Sequence, residues 1–127
     1  MKAETKLIRL LLEIGYLASG YGFSEEANTI INSVQGVRPD SCYPRIARAV
    51  CRMNEGCPQE AVDILRPCCA GDLPENELAR SFLGLALRQT GLNSESEEVL
   101  SGVLSSCEDP TALQMARAIL GEIRGNG

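Results

Sequence analysis

The stretch Leu11–Pro39, LLEIGYLASGYGFSEEANTIINSVQGVRP, decides how the chain folds. Gly15, Gly22, Ala27, Ile31, Val34 and Pro39 mark a small residue in one helix, a turn, a small residue in a second helix, two apolar positions and a stop. Small side chains let two helix axes approach, and branched aliphatics fill the space beside them, so the stretch predicts a helical hairpin. The pattern recurs. Gly22 to Gly56 is 34 residues and Gly56 to Gly91 is 35, and the same steps carry Gly15 to Ala49 to Gly84, Ala27 to Ala61 to Ser96 and Ile31 to Leu65 to Leu100. Val34, Cys68 and Val103 keep the same step.

A helix–turn–helix period of about 34 residues is that of the tetratricopeptide repeat. The fold expected is therefore all-α and single-domain over 1–127, with three tetratricopeptide-like helical hairpins at about 8–41, 42–75 and 76–109 and a C-terminal capping helix at 110–124. The cap is needed because the last hairpin of a stack would otherwise expose an apolar face. Helix signals place seven helices at 4–20, 24–35, 43–55, 58–69, 75–90, 94–106 and 110–124. Ser24 reads as an N-cap ahead of Glu25 and Glu26, and Ser94 with Glu97 as a capping box. Pro58, Pro74 and the Asp109-Pro110 pair open helices, and Gly125 can end the last one.

Composition agrees with packed helices. The chain is 44% hydrophobic but holds only two Phe, three Tyr and no Trp, so its core must be built of Leu, Ile, Val and Ala. Twelve basic against seventeen acidic residues give a net charge of -5, the wrong sign for nucleic acid or an anionic membrane. Glu13 interrupts the leucine run near the start, which argues against a signal peptide and for a cytoplasmic protein. No segment is long enough to span a membrane.

Catalytic chemistry finds little support. There is no histidine. The six cysteines, Cys42, Cys51, Cys57, Cys68, Cys69 and Cys107, include no C-x-x-C pair and read as small apolar residues rather than metal ligands or disulfides. Acidic pairs at Glu25-Glu26, Glu75-Glu77 and Glu95-Glu97-Glu98 fall in first turns, where the helix dipole explains them. No phosphate-binding loop or nucleophile motif is present, and GYG at 20–22 is a turn. Neither an enzyme nor a cofactor or metal site is expected.

What remains is a groove. With the first helix of each hairpin on the concave side, Leu12, Tyr16, Tyr43, Ile46, Val50, Met53, Leu78, Leu85 and Arg88 form a largely apolar partner-binding face. An amphipathic helix would cover it through anchors at i, i+3, i+4 and i+7. The same stripe could instead be internal core, or a self-association face.

The run LLLEIGYLASGYGFSEEANTII, with RMNEGCPQEAVDIL and LALRQTGLNSESEEVL further on, resembles the tetratricopeptide chaperones of the needle subunit in bacterial type III secretion systems. The resemblance covers about residues 7–123, and the long link GVRPDSCYP and the cysteine richness depart from it. It implies a cytoplasmic chaperone that holds the amphipathic C-terminal helix of a needle subunit in its groove and prevents premature polymerisation. It also implies a small helical co-chaperone, giving a heterotrimer. A chaperone for another secretion substrate, or a regulatory repeat scaffold, is the alternative.

Overall fold

The computed structural model describes residues 2–126, with the side chains of residues 2–5, 123, 124 and 126 left aside. Among the described residues there are seven α-helices and no strand. They are α1 Lys2–Gly20, α2 Ser24–Val37, α3 Tyr43–Asn54, α4 Pro58–Leu65, α5 Pro74–Gln89, α6 Asn93–Ser106 and α7 Pro110–Asn126. A single 3-10 turn, Arg66–Cys68, prolongs α4.

Three turns repeat one geometry. Gly22, Gly56 and Gly91 have φ of 88°, 81° and 85°, a left-handed conformation open to glycine and costly for other residues. The following residue donates its N–H back across the turn in each case: Phe23 to the Ala18 carbonyl at 2.8 Å, Cys57 to Arg52 at 2.8 Å and Leu92 to Leu87 at 2.9 Å. These are Schellman motifs, and they satisfy carbonyls that a helix end leaves unpaired. The same three residues then accept the first bond of the next helix, from Ala27, Ala61 and Ser96.

That double duty corrects two expectations. Ser24 and Ser94 are not caps; the N-cap positions belong to Phe23 and Leu92, with no side-chain cap bond at either. The preceding turn, not a serine hydroxyl, fixes where α2 and α6 begin. Asp109 does cap, accepting from the Ala112 N–H at 3.0 Å.

Small residues bring each hairpin together. Ala27, Ala49 and Ala61 are wholly buried, and a Cβ built on Gly84 would overlap the Leu100 side chain. At the third repeat Ser96 replaces alanine, and its hydroxyl donates to the Gly84 carbonyl at 2.6 Å. Ile31, Leu65 and Leu100 fill the spaces beyond, with Val34, Cys68 and Val103 behind them.

Helices α1, α3, α5 and α7 run side by side in one row, while α2, α4 and α6 each pack on their own partner and on the first helix of the next unit. The main core spans α1 to α5; a second, of Leu100, Val103, Cys107, Ala112, Ala116, Ile119 and Leu120, seats α7.

The start of α5 ties the links together. Glu75 accepts from the Ser41 hydroxyl at 3.2 Å and the Cys42 N–H at 3.3 Å, at the head of α3. Buried Asn76 donates to the Cys68 carbonyl at 2.9 Å, and Glu77 accepts from the Glu108 and Asp109 N–H groups ahead of α7. Glu75 and Glu77 therefore serve the heads of other helices as well as their own dipole.

Candidate functional site

The row of first helices holds a small pocket of about 170 Å³. Arg9, Leu12, Glu13 and Tyr16 of α1, Tyr43 of α3, Leu78 and Phe82 of α5, and Thr111 of α7 line it. Those of α1, α3 and α5 come from helices whose register the hairpin turns have fixed. The Tyr16 and Phe82 rings lie 6.4 Å apart at 45°, and the Arg9 guanidinium sits 5.5 Å from the centre of the Tyr43 ring. Burial pushes the Tyr16 phenol well up, with further pushes from Cys51 and Glu13 and an opposing pull from Arg9. Burial also raises Tyr43, again against Arg9. Both rings are therefore neutral walls at ordinary pH.

Of the nine sequence-expected groove residues, Leu12, Tyr16, Tyr43 and Leu78 meet at this pocket. Ile46 is wholly buried and supports the face from beneath, and Leu12, at 1% exposed, adds little surface to the pocket it lines. Val50 is half-buried, and Met53 packs against the main core. Leu85 packs into the second core, and Arg88 pairs with Glu122 of α7 at 3.4 Å. Helix α7 thus occupies the far half of α5: the Ser81 hydroxyl donates to the Ala112 carbonyl at 2.7 Å, closing the groove that the sequence extended through Leu85 and Arg88. The cap joins the row as its fourth member, which the repeat register alone does not reveal.

The sequence reading missed Phe82 and Thr111. It also missed a second surface. On α1, Leu7, Leu10, Ile14, Leu17 and, in the turn after it, Tyr21 are 45–79% exposed, with Leu11 at 37%. Steps of three and four residues put them on one stripe, the spacing by which helices pair. No described element covers it. The signal was present in the sequence: between Leu7 and Ala18 only Arg9, Glu13 and Tyr16 carry polar side-chain atoms, and a helix apolar nearly all round is built to be covered on more than one side.

Among the described residues no cluster of three or more His, Cys, Asp or Glu could hold a metal ion. All six cysteines carry free thiols. Burial, reinforced by the Cys42 thiol, raises Cys68, and burial pushes Cys69 up to about 11 despite Arg80 and Arg66. Thiols held protonated in this way are poor nucleophiles and poor ligands. No described helix is long and apolar enough to cross a membrane.

Comparison with known proteins returns no matching family model, no matching curated protein and no matching solved structure.

Proposed function

We propose that this chain is a non-enzymatic helix-binding chaperone with two partner faces. The observation that carries the reading is the α1 stripe of Leu7, Leu10, Ile14, Leu17 and Tyr21, exposed at helix-pairing spacing beside an aromatic pocket that α1 shares with α3 and α5. Apolar surface arranged this way is costly to leave wet, and a partner helix is the shape that covers it. The client is the amphipathic C-terminal helix of a type III secretion needle subunit, held against the α1–α3–α5 row; a small helical co-chaperone covers the α1 stripe. The bacterial cytoplasm is the compartment in which such a client needs holding before export. Support for the secretion setting comes from the sequence runs that resemble that family, and the two faces support the number of partners.

A regulatory repeat scaffold or a chaperone of another secretion substrate would use the same faces. Co-expression with the small proteins encoded beside this gene, followed by size exclusion and mass spectrometry, separates these readings. A heterotrimer containing a subunit that polymerises once released is the expected result. A monodisperse lone chain, or a complex whose partners do not polymerise, would refute needle chaperoning.

A further inference from the structure

Two thiols from separate segments meet at the open end of the second hairpin, and the helix-binding reading uses neither. Cys42 stands at the head of α3, and Cys68 lies in the 3-10 turn that prolongs α4. The head of α5 holds both: Glu75 accepts from the Cys42 N–H at 3.3 Å, while the Asn76 amide donates to the Cys42 sulfur at 3.7 Å and to the Cys68 carbonyl at 2.9 Å. The Cys42 and Cys68 side chains also hydrogen-bond each other, so the two sulfurs are neighbours. The other thiols are engaged elsewhere: Cys69 donates to the Leu65 carbonyl at 3.3 Å, Cys107 accepts from Arg80 at 3.5 Å, Cys57 turns to the Glu55 carbonyl at 3.9 Å and Cys51 is buried in the main core. We propose that Cys42 and Cys68 form a redox staple, which a peroxide closes to a disulfide between the head of α3 and the end of α4 and which small thiols reopen.

Cys42 is half-buried and Cys68 is 2% exposed, which sets the order of events. The Cys42 sulfur attacks hydrogen peroxide and the O–O bond breaks; Cys42 becomes a sulfenic acid, and the departing oxygen leaves as water with the thiol proton. Cys68 then attacks the Cys42 sulfur, the S–O bond breaks, and a second water leaves with the Cys68 proton as the S–S bond forms. One peroxide is reduced to two waters and the thiol pair gives up two electrons. Burial holds Cys68 protonated, so it is a poor first reactant, and contact with Cys42 makes it the resolving one. Two molecules of a small thiol return the pair to its reduced form and leave as their own disulfide. Transient bonds of this kind are the ones a reducing compartment tolerates. Cys42 immediately precedes Tyr43, which lines the pocket on the row, so closure anchors that part of the face.

Hydrogen peroxide added to the purified full chain, followed by alkylation and peptide mapping without reduction, tests the staple. The expected product has lost two hydrogens and carries one cross-link, between the Cys42 and Cys68 peptides. Its melting temperature should rise by roughly 10 °C, because the bond closes the loop over α3 and α4 in the unfolded chain. Reduced glutathione should reverse both changes. Cys42→Ser should abolish the cross-link and the thermal shift, and Cys69→Ser should keep both. If Cys42→Ser does not fold, Cys68→Val serves instead: Cys42 should then stop at the sulfenic acid, which dimedone traps. A cross-link that maps to Cys69, one that joins two chains, or oxidation of Cys42 to the sulfinic acid without a cross-link would overturn the proposal. So would a Cys42–Cys68 bond that leaves the melting temperature unchanged or that glutathione cannot open.

Discussion

Glu77 Oε1 accepts two hydrogen bonds, from the Glu108 N–H at 2.9 Å and from the Asp109 N–H at 2.7 Å, although the donors lie 31 and 32 residues further along the chain. The carboxylate is buried, so these bonds replace its water, and they fix the head of α7 against α5. Because α7 closes one end of the row, this contact sets how much of the face stays open. Glu77→Ala should cost about 1.5–3 kcal/mol, the usual loss when a bond to a charged group is removed. Urea unfolding measures the loss, and amide exchange should rise first in α7. A loss under about 0.5 kcal/mol would mean that the second core holds α7 unaided.

The equivalence of the three hairpin turns is open to measurement at their glycines. Gly22→Ala, Gly56→Ala and Gly91→Ala each force alanine into a left-handed φ with open space around it, so backbone strain alone should act. Each should lose about 1 kcal/mol, and the three losses should agree closely. Gly84→Ala differs in kind, because its Cβ would overlap Leu100. It should lose about 1–3 kcal/mol by overpacking, and Leu100→Ala should relieve part of that in a double-mutant cycle. Unequal turn losses would show that the repeats are not interchangeable.

Where the sequence was legible, local chemistry decided the outcome. Gly22, Gly56 and Gly91 punctuate the helices, and Pro58, Pro74 and Pro110 open them, so all seven helices fall within a few residues of their expected places. The hairpin-packing residues were equally plain, because small and large positions recur in step. Rotation about each helix axis was not plain. With Leu10, Leu11 and Leu12 consecutive, α1 offers apolar residues in every direction, and only packing shows that Leu12 goes inward and Leu10 outward. The contacts that Leu85 and Arg88 make with α7 were not legible for a different reason: the docking of α7 is a tertiary event.

Alkaline stability follows from the buried thiols. Folding raises Cys68 and Cys69 above the ordinary thiol value of 9, the latter to about 11. Their contribution is complete below pH 9 and is lost as pH rises above that, because the unfolded chain releases the protons first. Cys68→Val should be tolerated at pH 7, since Val34 and Val103 fill the matching sites, and should flatten the fall in stability between pH 9 and pH 11. Denaturant midpoints across that range measure it. An unchanged slope would exclude Cys68 as its source.

Neighbouring leucines of α1 should separate folding from binding. Leu10 is 52% exposed and Leu12 is 1% exposed, two positions apart. Leu10→Asp should shift stability by no more than about 0.5 kcal/mol, whereas Leu12→Asp buries an unpaired charge and should unfold the chain. Thermal melts of the two variants decide it, and near-equal melts would place the stripe wrongly.

Native mass spectrometry of the chain co-expressed with its neighbouring gene products tests most directly whether its two faces hold two partners. Wild type should form a heterotrimer; Leu10→Asp should lose the small helical partner, and Thr111→Trp should lose the client. A wild-type chain recovered alone, or one whose two variants both retain both partners, would contradict it.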